Sequence, residues 1–172
     1  MGASSTPERK LPMTKLEIPM KIGLIHPRGA FVAKNRHMAA FMAAHRQEFR
    51  PWMIPNLGLL TLAGLTPPEV ELEYVDENVD PVDVRRRYDV VALSGMTQQA
   101  FRAYDLAAEF RARGIYTVMG GAHATVMADE AEGYVDTVIS GEAEGIWEEF
   151  LADFRAGRPR PRTRIALPRK RP

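Results

Sequence analysis

The stretch VALSGMTQQA (91–100) reads as a buried strand that breaks abruptly into small and polar residues. Val91, Ala92 and Leu93 continue an apolar run begun at Val90, and Ser94-Gly95 ends it just before a segment of helical character. The pattern returns in TVMGGAHATV (117–126) and again in TVISGEAEGI (137–146). Three apolar runs that close on Ser-Gly or Gly-Gly and then turn helical mark parallel strands whose carboxyl ends meet along one rim, where open sheets of this kind bind ligands. Glycine lets backbone approach a ligand closely and leaves its amide available as a donor. The repeated endings are therefore expected to clear a continuous trench.

Working outward, MKIGLIH (20–26) is a first strand stopped by Pro27, and VELEYVD (70–76) a second, bounded by prolines and the Asp76-Glu77-Asn78 turn. Between them, 36–49 is rich in alanine and methionine, and Asn56 is placed to cap a helix through LGLLTLAGL. A short polar helix is expected around 81–87. The segment TQQAFRAYDLAAEFRARG (97–114) is amphipathic, with Thr97 as N-cap, Phe101, Tyr104, Ala108 and Ile115 on the apolar side and Gly114 as terminator. A short helix at 127–133 follows, and the last helix places Ile146, Trp147, Phe150, Leu151 and Phe154 at helical spacing. The alternation implies an α/β fold: a three-layer α/β/α arrangement around a five-stranded parallel sheet, in the order 2-1-3-4-5. Residues 1–19 read as a disordered lead-in, 20–155 as the domain and 156–172 as a basic, proline-rich tail or linker.

The composition sets outer bounds. A chain of 172 residues with 45% hydrophobic and 26% charged residues suits one globular domain. No apolar run reaches the ~18–20 residues that span a bilayer, and a cytoplasmic location is expected. The chain has no cysteine, which excludes disulfides, thiolate zinc and cysteine-held iron–sulfur clusters within it. The net charge of +1 conceals an asymmetry, because residues 155–172 carry eight Lys/Arg and no acid, while 1–154 carry 15 basic and 22 acidic side chains. Such an acidic body is not a general nucleic-acid binder by its folded surface.

The expected strand ends are His26-Pro27-Arg28-Gly29, Asp76-Glu77-Asn78, Ser94-Gly95-Met96-Thr97, Gly120-Gly121-Ala122-His123 and Ser140-Gly141-Glu142. The first, third and fourth should lie together, with hydroxyls of Ser94 and Thr97 able to donate and accept. HPRGAF lacks the G-x-G-x-x-G of a dinucleotide site, and G-x-x-x-x-G-K-[ST] is absent. A phospho-receiver would need acids where His26 and Ser94 stand, and a flavodoxin-type phosphate loop would need Ser/Thr directly after the first strand.

Taken in order, LGLLTLAGLTPPEVELEYVDENVD, DVVALSGMTQQ, VMGGAHATVMADEA and VISGEAEGIWEEFL resemble the N-terminal cobalamin (B12)-binding domain of B12-dependent radical-SAM enzymes. The likeness is closest to the methyltransferase class that includes the hopanoid methylases, and it covers roughly 20–155. The resemblance implies a flavodoxin-like domain holding the corrin over the strand ends, with its nucleotide tail threaded into a cleft beside the sheet. It implies that Ser94, Gly95, Met96 and Thr97 contact the tail and corrin edge, and that Gly120, Gly121, Ala122 and His123 flank the tail. Gly141 and Glu142 would sit by the ribose or the outer corrin amides, and Leu57 and Gly58 would face the corrin.

Two departures from the family carry weight. Domains that ligate cobalt through a protein imidazole carry D-x-H-x-x-G after the first strand, whereas this chain has Arg28 near that position and no matching histidine. The resemblance therefore implies base-off cobalamin with no protein ligand to the metal. The C-x-x-x-C-x-x-C motif that radical-SAM chemistry needs is also missing, so S-adenosylmethionine and the iron–sulfur cluster would belong to another domain or a separate radical-SAM partner.

Plainer roles compete at several positions. His26 suits a strand-end residue with a satisfied ring, and His123 a loop histidine bonded to its surroundings. His37 and His45 are eight apart, not the i, i+4 pair of a zinc helix, and read as solvent-facing. Glu144, Glu148 and Glu149 suit a helix N-terminus. The alternative function is a nucleotide- or flavin-binding signalling module of the same fold.

Overall fold

The computed structural model describes residues 19–29, 36–44 and 55–164. Its strands are β1 (Lys21–His26), β2 (Glu71–Asp76), β3 (Val90–Ser94), β4 (Tyr116–Gly120), β5 (Thr137–Ser140) and β6 (Arg162–Arg164). All pair in parallel, in the order β2-β1-β3-β4-β5-β6. The helices are α1 (Arg36–Ala44), α2 (Leu57–Leu65), α3 (Ala100–Arg111), α4 (Gly121–Val126), α5 (Ala128–Ala131) and α6 (Trp147–Arg155). The expected flavodoxin-like α/β arrangement is present, with one strand more than the sequence reading allowed.

The core lies on both faces of the sheet, as strand alternation requires. Ile25, Val91, Leu93 and Met119 pack beneath α3, α4 and α5, against Ala103, Leu106, Phe110 and Ala131. Ile22, Leu24, Val90 and Ile139 face the opposite way, against Leu59 of α2 and Trp147, Phe150 and Leu151 of α6. Trp147 is fully buried and satisfies its indole by donating Nε1–H to Thr66 Oγ1 at 2.8 Å.

Four local expectations are corrected. The stretch around 81–87 forms turns, not a helix: Asp83 Oδ1 accepts the Arg85 N–H at 3.0 Å, offering the backbone a turn instead. Thr97 does not cap α3 but opens a single 3-10 turn, Thr97–Gln99, and the helix starts at Ala100. Phe101 is 73% exposed and Ala108 lies on the outer face, because the buried stripe is set by Ala100, Ala103, Tyr104, Ala107 and Phe110. The fourth correction is β6, drawn from the proline-rich segment read as a linker. Prolines exclude a helix there but not a short edge strand, which needs ladder bonds on one side only. Val138 donates its N–H to Pro161 O at 2.9 Å, and Thr163 is buried. The basic arginines meet the acidic body: Arg160 pairs with Glu149 and Asp153, and Arg162 with Asp129 and Glu132.

Asn56 does cap α2, its Oδ1 accepting the Leu59 N–H at 3.1 Å, and Gly114 ends α3 with φ +76°. His37 is exposed on α1. His45 and, Pro19 apart, the lead-in of 1–19 lie outside the described residues.

Candidate functional site at the carboxyl rim

The carboxyl ends of β1, β3 and β4 converge as expected, tied by side chains rather than by ladder bonds alone. Gln99 is the central tie. It is buried, with Nε2 donating to Pro27 O at 2.6 Å and lying 2.7 Å from His26 Nε2, while its Oε1 accepts the Met96 N–H at 2.8 Å. The loop after β1 is thereby fixed to the loop after β3. His26 is turned inward, with Nδ1 lying 3.4 Å from Asp76 Oδ2 without hydrogen-bond alignment. Burial pushes the Asp76 carboxyl up, but the His26 contact and two hydrogen bonds from Asn78 outweigh it and hold the group below the usual carboxylate range.

A second anchor lies on the β2 side. Glu77, whose side chain is 3% exposed, accepts from Arg102 Nη2 at 2.7 Å and Nε at 2.8 Å, and takes the Arg28 N–H at 3.1 Å. The pair pins the loop containing Arg28 to α3 with the bidentate geometry that guanidinium offers carboxylate.

The glycines serve this close assembly in distinct ways. A Cβ on Gly95 would lie 3.0 Å from the Gln99 side chain, so that space is taken by the tie itself. Gly121 has φ +89°, and a Cβ there would sit 2.6 Å from Ser94 Oγ and 3.3 Å from the Gly95 backbone. Gly141 has φ +91° with nothing within 4 Å of a Cβ, and Gly58 faces Asn56 Oδ1 at 3.3 Å and Ser94 Oγ at 4.0 Å. The expectation of one continuous trench is therefore amended. Gly95 and Gly121 admit neighbouring protein groups, while Gly58 and Gly141 border open space or contacts near van der Waals range.

Among the singled-out residues, Ser94 is buried and accepts from Asn56 Nδ2 through both its carbonyl (3.3 Å) and Oγ (3.4 Å), joining the α2 N-terminus to the end of β3. His123 is 3% exposed and donates its backbone N–H to Gly95 O at 3.3 Å. Its ring lies 2.7 Å from the Tyr104 hydroxyl through Nε2 and 3.3 Å from Thr97 Oγ1 through Nδ1. Tyr104 in turn donates to Glu130 Oε1 at 3.1 Å, and burial together with that carboxylate pushes its phenol up. Gly120 is half-buried and Ala122 exposed; Gly141 joins the rim through its N–H to Thr125 Oγ1 at 2.9 Å, and Glu142 stands exposed beyond it. Leu57, Gly58, Ser94 to Thr97 and Gly120 to His123 are thus brought together, with Gly141 and Glu142 on the flank.

Sequence reasoning missed Gln99, Tyr104, Glu130, Glu77 and Arg102 as rim determinants. Only Glu77 carried a signal, as a charge beside a strand end. Leu57 and Met96, both expected at the site, form an apolar collar, 69% and 58% exposed at the ends of elements meeting here. Such side chains left in water around small polar groups suit a flat ligand, apolar in body and polar at its edge. Among the described residues, no group of three or more His, Cys, Asp or Glu is placed to hold a metal ion, and no helix is long and apolar enough to cross a membrane.

The architecture and its rim define a ligand-holding α/β domain. A family model described as the B12 binding domain matches residues 52–151, and the chain belongs to that family; its cofactor is a cobalamin. Corrin chemistry fits the collar, since the macrocycle is broad and apolar while its periphery carries amides. The chain is 39% identical over 105 residues to the bacteriochlorophyllide d C-8(2)-methyltransferase of Chlorobaculum tepidum, covering 60% of this chain and 23% of that protein. It is 34% identical over 105 residues to the bacteriochlorophyllide d C-12(1)-methyltransferase of the same organism, covering 59% and 23% respectively. An uncharacterized methyltransferase of Synechocystis sp. is 36% identical over 99 residues, covering 55% of this chain and 18% of that protein. The chain thus spans less than a quarter of the curated relatives it matches.

Proposed function

We propose that the rim holds cobalamin base-off, with no protein histidine on cobalt, in service of a methyl transfer driven by a radical-SAM domain that this chain does not contain. The observation supporting the absence of a protein ligand on cobalt is the inward turn of both rim histidines: His26 is engaged by Gln99, and His123 by Tyr104 and Thr97. Arg28, in the loop where a histidine ligand would be sought, is fastened to Glu77. Methyl transfer is supported by relatives whose names are those of methyltransferases.

Bound cobalamin supplies a cobalt centre able to take up and release a methyl group. The chain's own part is to bind and orient. Leu57 and Gly58 face the corrin. Ser94, Gly95, Met96 and Thr97 meet the corrin edge and tail, while Gly120, Gly121, Ala122 and His123 flank the tail. Gly141 and Glu142 reach the ribose or outer amides. S-adenosylmethionine and the iron–sulfur cluster belong to the radical-SAM domain or partner, since a chain without cysteine cannot hold such a cluster by thiolates. We place the protein in the cytoplasm, which its lack of cysteine suits.

The test is to incubate the purified chain with hydroxocobalamin, desalt it and record the visible spectrum. A retained corrin with a base-off spectrum is expected. A retained spectrum showing nitrogen ligation to cobalt overturns the ligation assignment, and a colourless protein overturns cobalamin retention by this chain alone.

A further inference from the structure

The buried histidine of the rim belongs to a chain of hydrogen bonds whose direction is fixed by its last member. Glu130, as a carboxylate, can only accept, so the Tyr104 O–H that lies 3.1 Å from its Oε1 must be the donor. A phenol has one proton. With that proton committed to Glu130, the Tyr104 oxygen can only accept across its 2.7 Å contact with His123, so Nε2 must carry a hydrogen. In a neutral imidazole the other nitrogen is then bare. Nδ1 therefore accepts from the hydroxyl of Thr97, at 3.3 Å. The order is Thr97 O–H to His123, His123 N–H to Tyr104, and Tyr104 O–H to Glu130.

We infer that this one-way chain makes Thr97 a hydrogen-bond acceptor toward the ligand, with His123, Tyr104 and Glu130 as positioning residues, and that its partner is an N–H donor: a primary amide on the corrin periphery, not the acceptor nitrogen of the nucleotide base. Thr97 is exposed at the rim beside Met96, so with its proton held by His123 the hydroxyl has only acceptor capacity left for a ligand. The stacking of Tyr134 on Tyr104, with centroids 4.0 Å apart, holds the phenol in place. The ligand half of this assignment rests on the cobalamin reading above; the polarity of the chain does not.

Two measurements separate these halves. Long-range proton–nitrogen spectra of the 15N-labelled full chain without cofactor, recorded at about pH 8 where an ordinary histidine is neutral, report the tautomer of His123. The Nε2–H form is expected. In Glu130→Ala, whose exposed substitution spares the core, the population should move toward Nδ1–H, because Tyr104 regains a proton to donate. A wild type with Nδ1–H, or a tautomer unmoved by Glu130→Ala, overturns the chain's polarity.

The ligand half is read by titrating wild type and Thr97→Val with hydroxocobalamin and with cobinamide, which keeps amides but lacks the benzimidazole tail. A lost hydrogen bond should weaken both by about tenfold. A loss confined to hydroxocobalamin places Thr97 on the tail and overturns the amide assignment. Failure of wild type to bind either corrin overturns that assignment together with the cobalamin reading, while leaving the tautomer result to stand or fall alone.

Discussion

Gly121→Ala tests whether the rim depends on a backbone conformation or on empty space. With φ +89°, an alanine there adopts a conformation L residues rarely tolerate, at a cost of about 1–2 kcal/mol. Its Cβ would also arrive 2.6 Å from Ser94 Oγ, which must rotate away and release the Asn56 Nδ2 contact at 3.4 Å. Losing that bond adds about 1 kcal/mol. The sum is a loss of about 2–3 kcal/mol, read as a lower urea midpoint with unchanged slope. The Ser94→Ala background separates the two parts, because the oxygen that clashes is gone. There Gly121→Ala should cost the conformational part and the 3.3 Å approach to the Gly95 backbone, but not the Ser94 part, giving a coupling of about 1 kcal/mol between the positions. If Gly121→Ala stays within about 0.5 kcal/mol of wild type, the strain argument fails. Equal costs in both backgrounds would refute the clash with Ser94.

Three further outcomes follow from the same geometry. Asn56→Ala removes both the α2 cap and the bonds to Ser94, and should lower stability by about 1–2 kcal/mol by urea unfolding while also weakening retention of hydroxocobalamin. Arg102→Met leaves the Glu77 carboxylate, 3% exposed, with the Arg28 backbone N–H and the Arg28 guanidinium at 3.9 Å, and should cost about 2 kcal/mol; the added change Glu77→Leu should restore much of it. Glu73 is held below the usual carboxylate range by the Arg86 hydrogen bond, against partial burial, with Tyr88 and Lys21 adding to the shift. Its stabilising contribution is present above the ordinary carboxylate pKa and is lost as pH falls through the lowered one. Melting temperatures of wild type and Glu73→Gln should therefore differ at about pH 7 and converge toward about pH 3; a constant gap would show that the ion pair contributes nothing.

Strand order and both core faces were legible in the sequence because burial in a parallel sheet leaves unbroken apolar runs such as Val90–Leu93, which the amphipathic segment of α3 follows. β6 was hidden because an edge strand of Arg162–Arg164 has no such run; what fixes it is pairing to Val138–Ser140 and salt bridges to α5 and α6. Asn56 was legible as a cap but not as the donor to Ser94, 38 positions away. Gln99 and Tyr104 were invisible as rim residues for a related reason. A buried glutamine and a tyrosine on a helical stripe look like ordinary polar and core positions until the strand ends they join are placed beside them.

The three glycine-bearing endings show most clearly where pattern stops short of cause. In the sequence they are one motif repeated; in the fold each answers a separate local demand. Gly95 lacks a side chain because the Gln99 amide occupies that space to tie β1 to β3. Gly121 is needed for its positive φ and for the approach of Ser94, so that α4 can start directly from the end of β4. Gly141 has the same backbone requirement with no neighbour to avoid, which leaves its flank open. A side chain at Gly95 or Gly121 would therefore harm cobalamin retention through the protein's own packing before it met the corrin. At Gly141, Gly→Asn is the discriminating change, because asparagine tolerates positive φ. Unaltered unfolding with weakened retention of hydroxocobalamin would put the ligand at that flank, and unaltered retention would confine it to the ends of β1, β3 and β4.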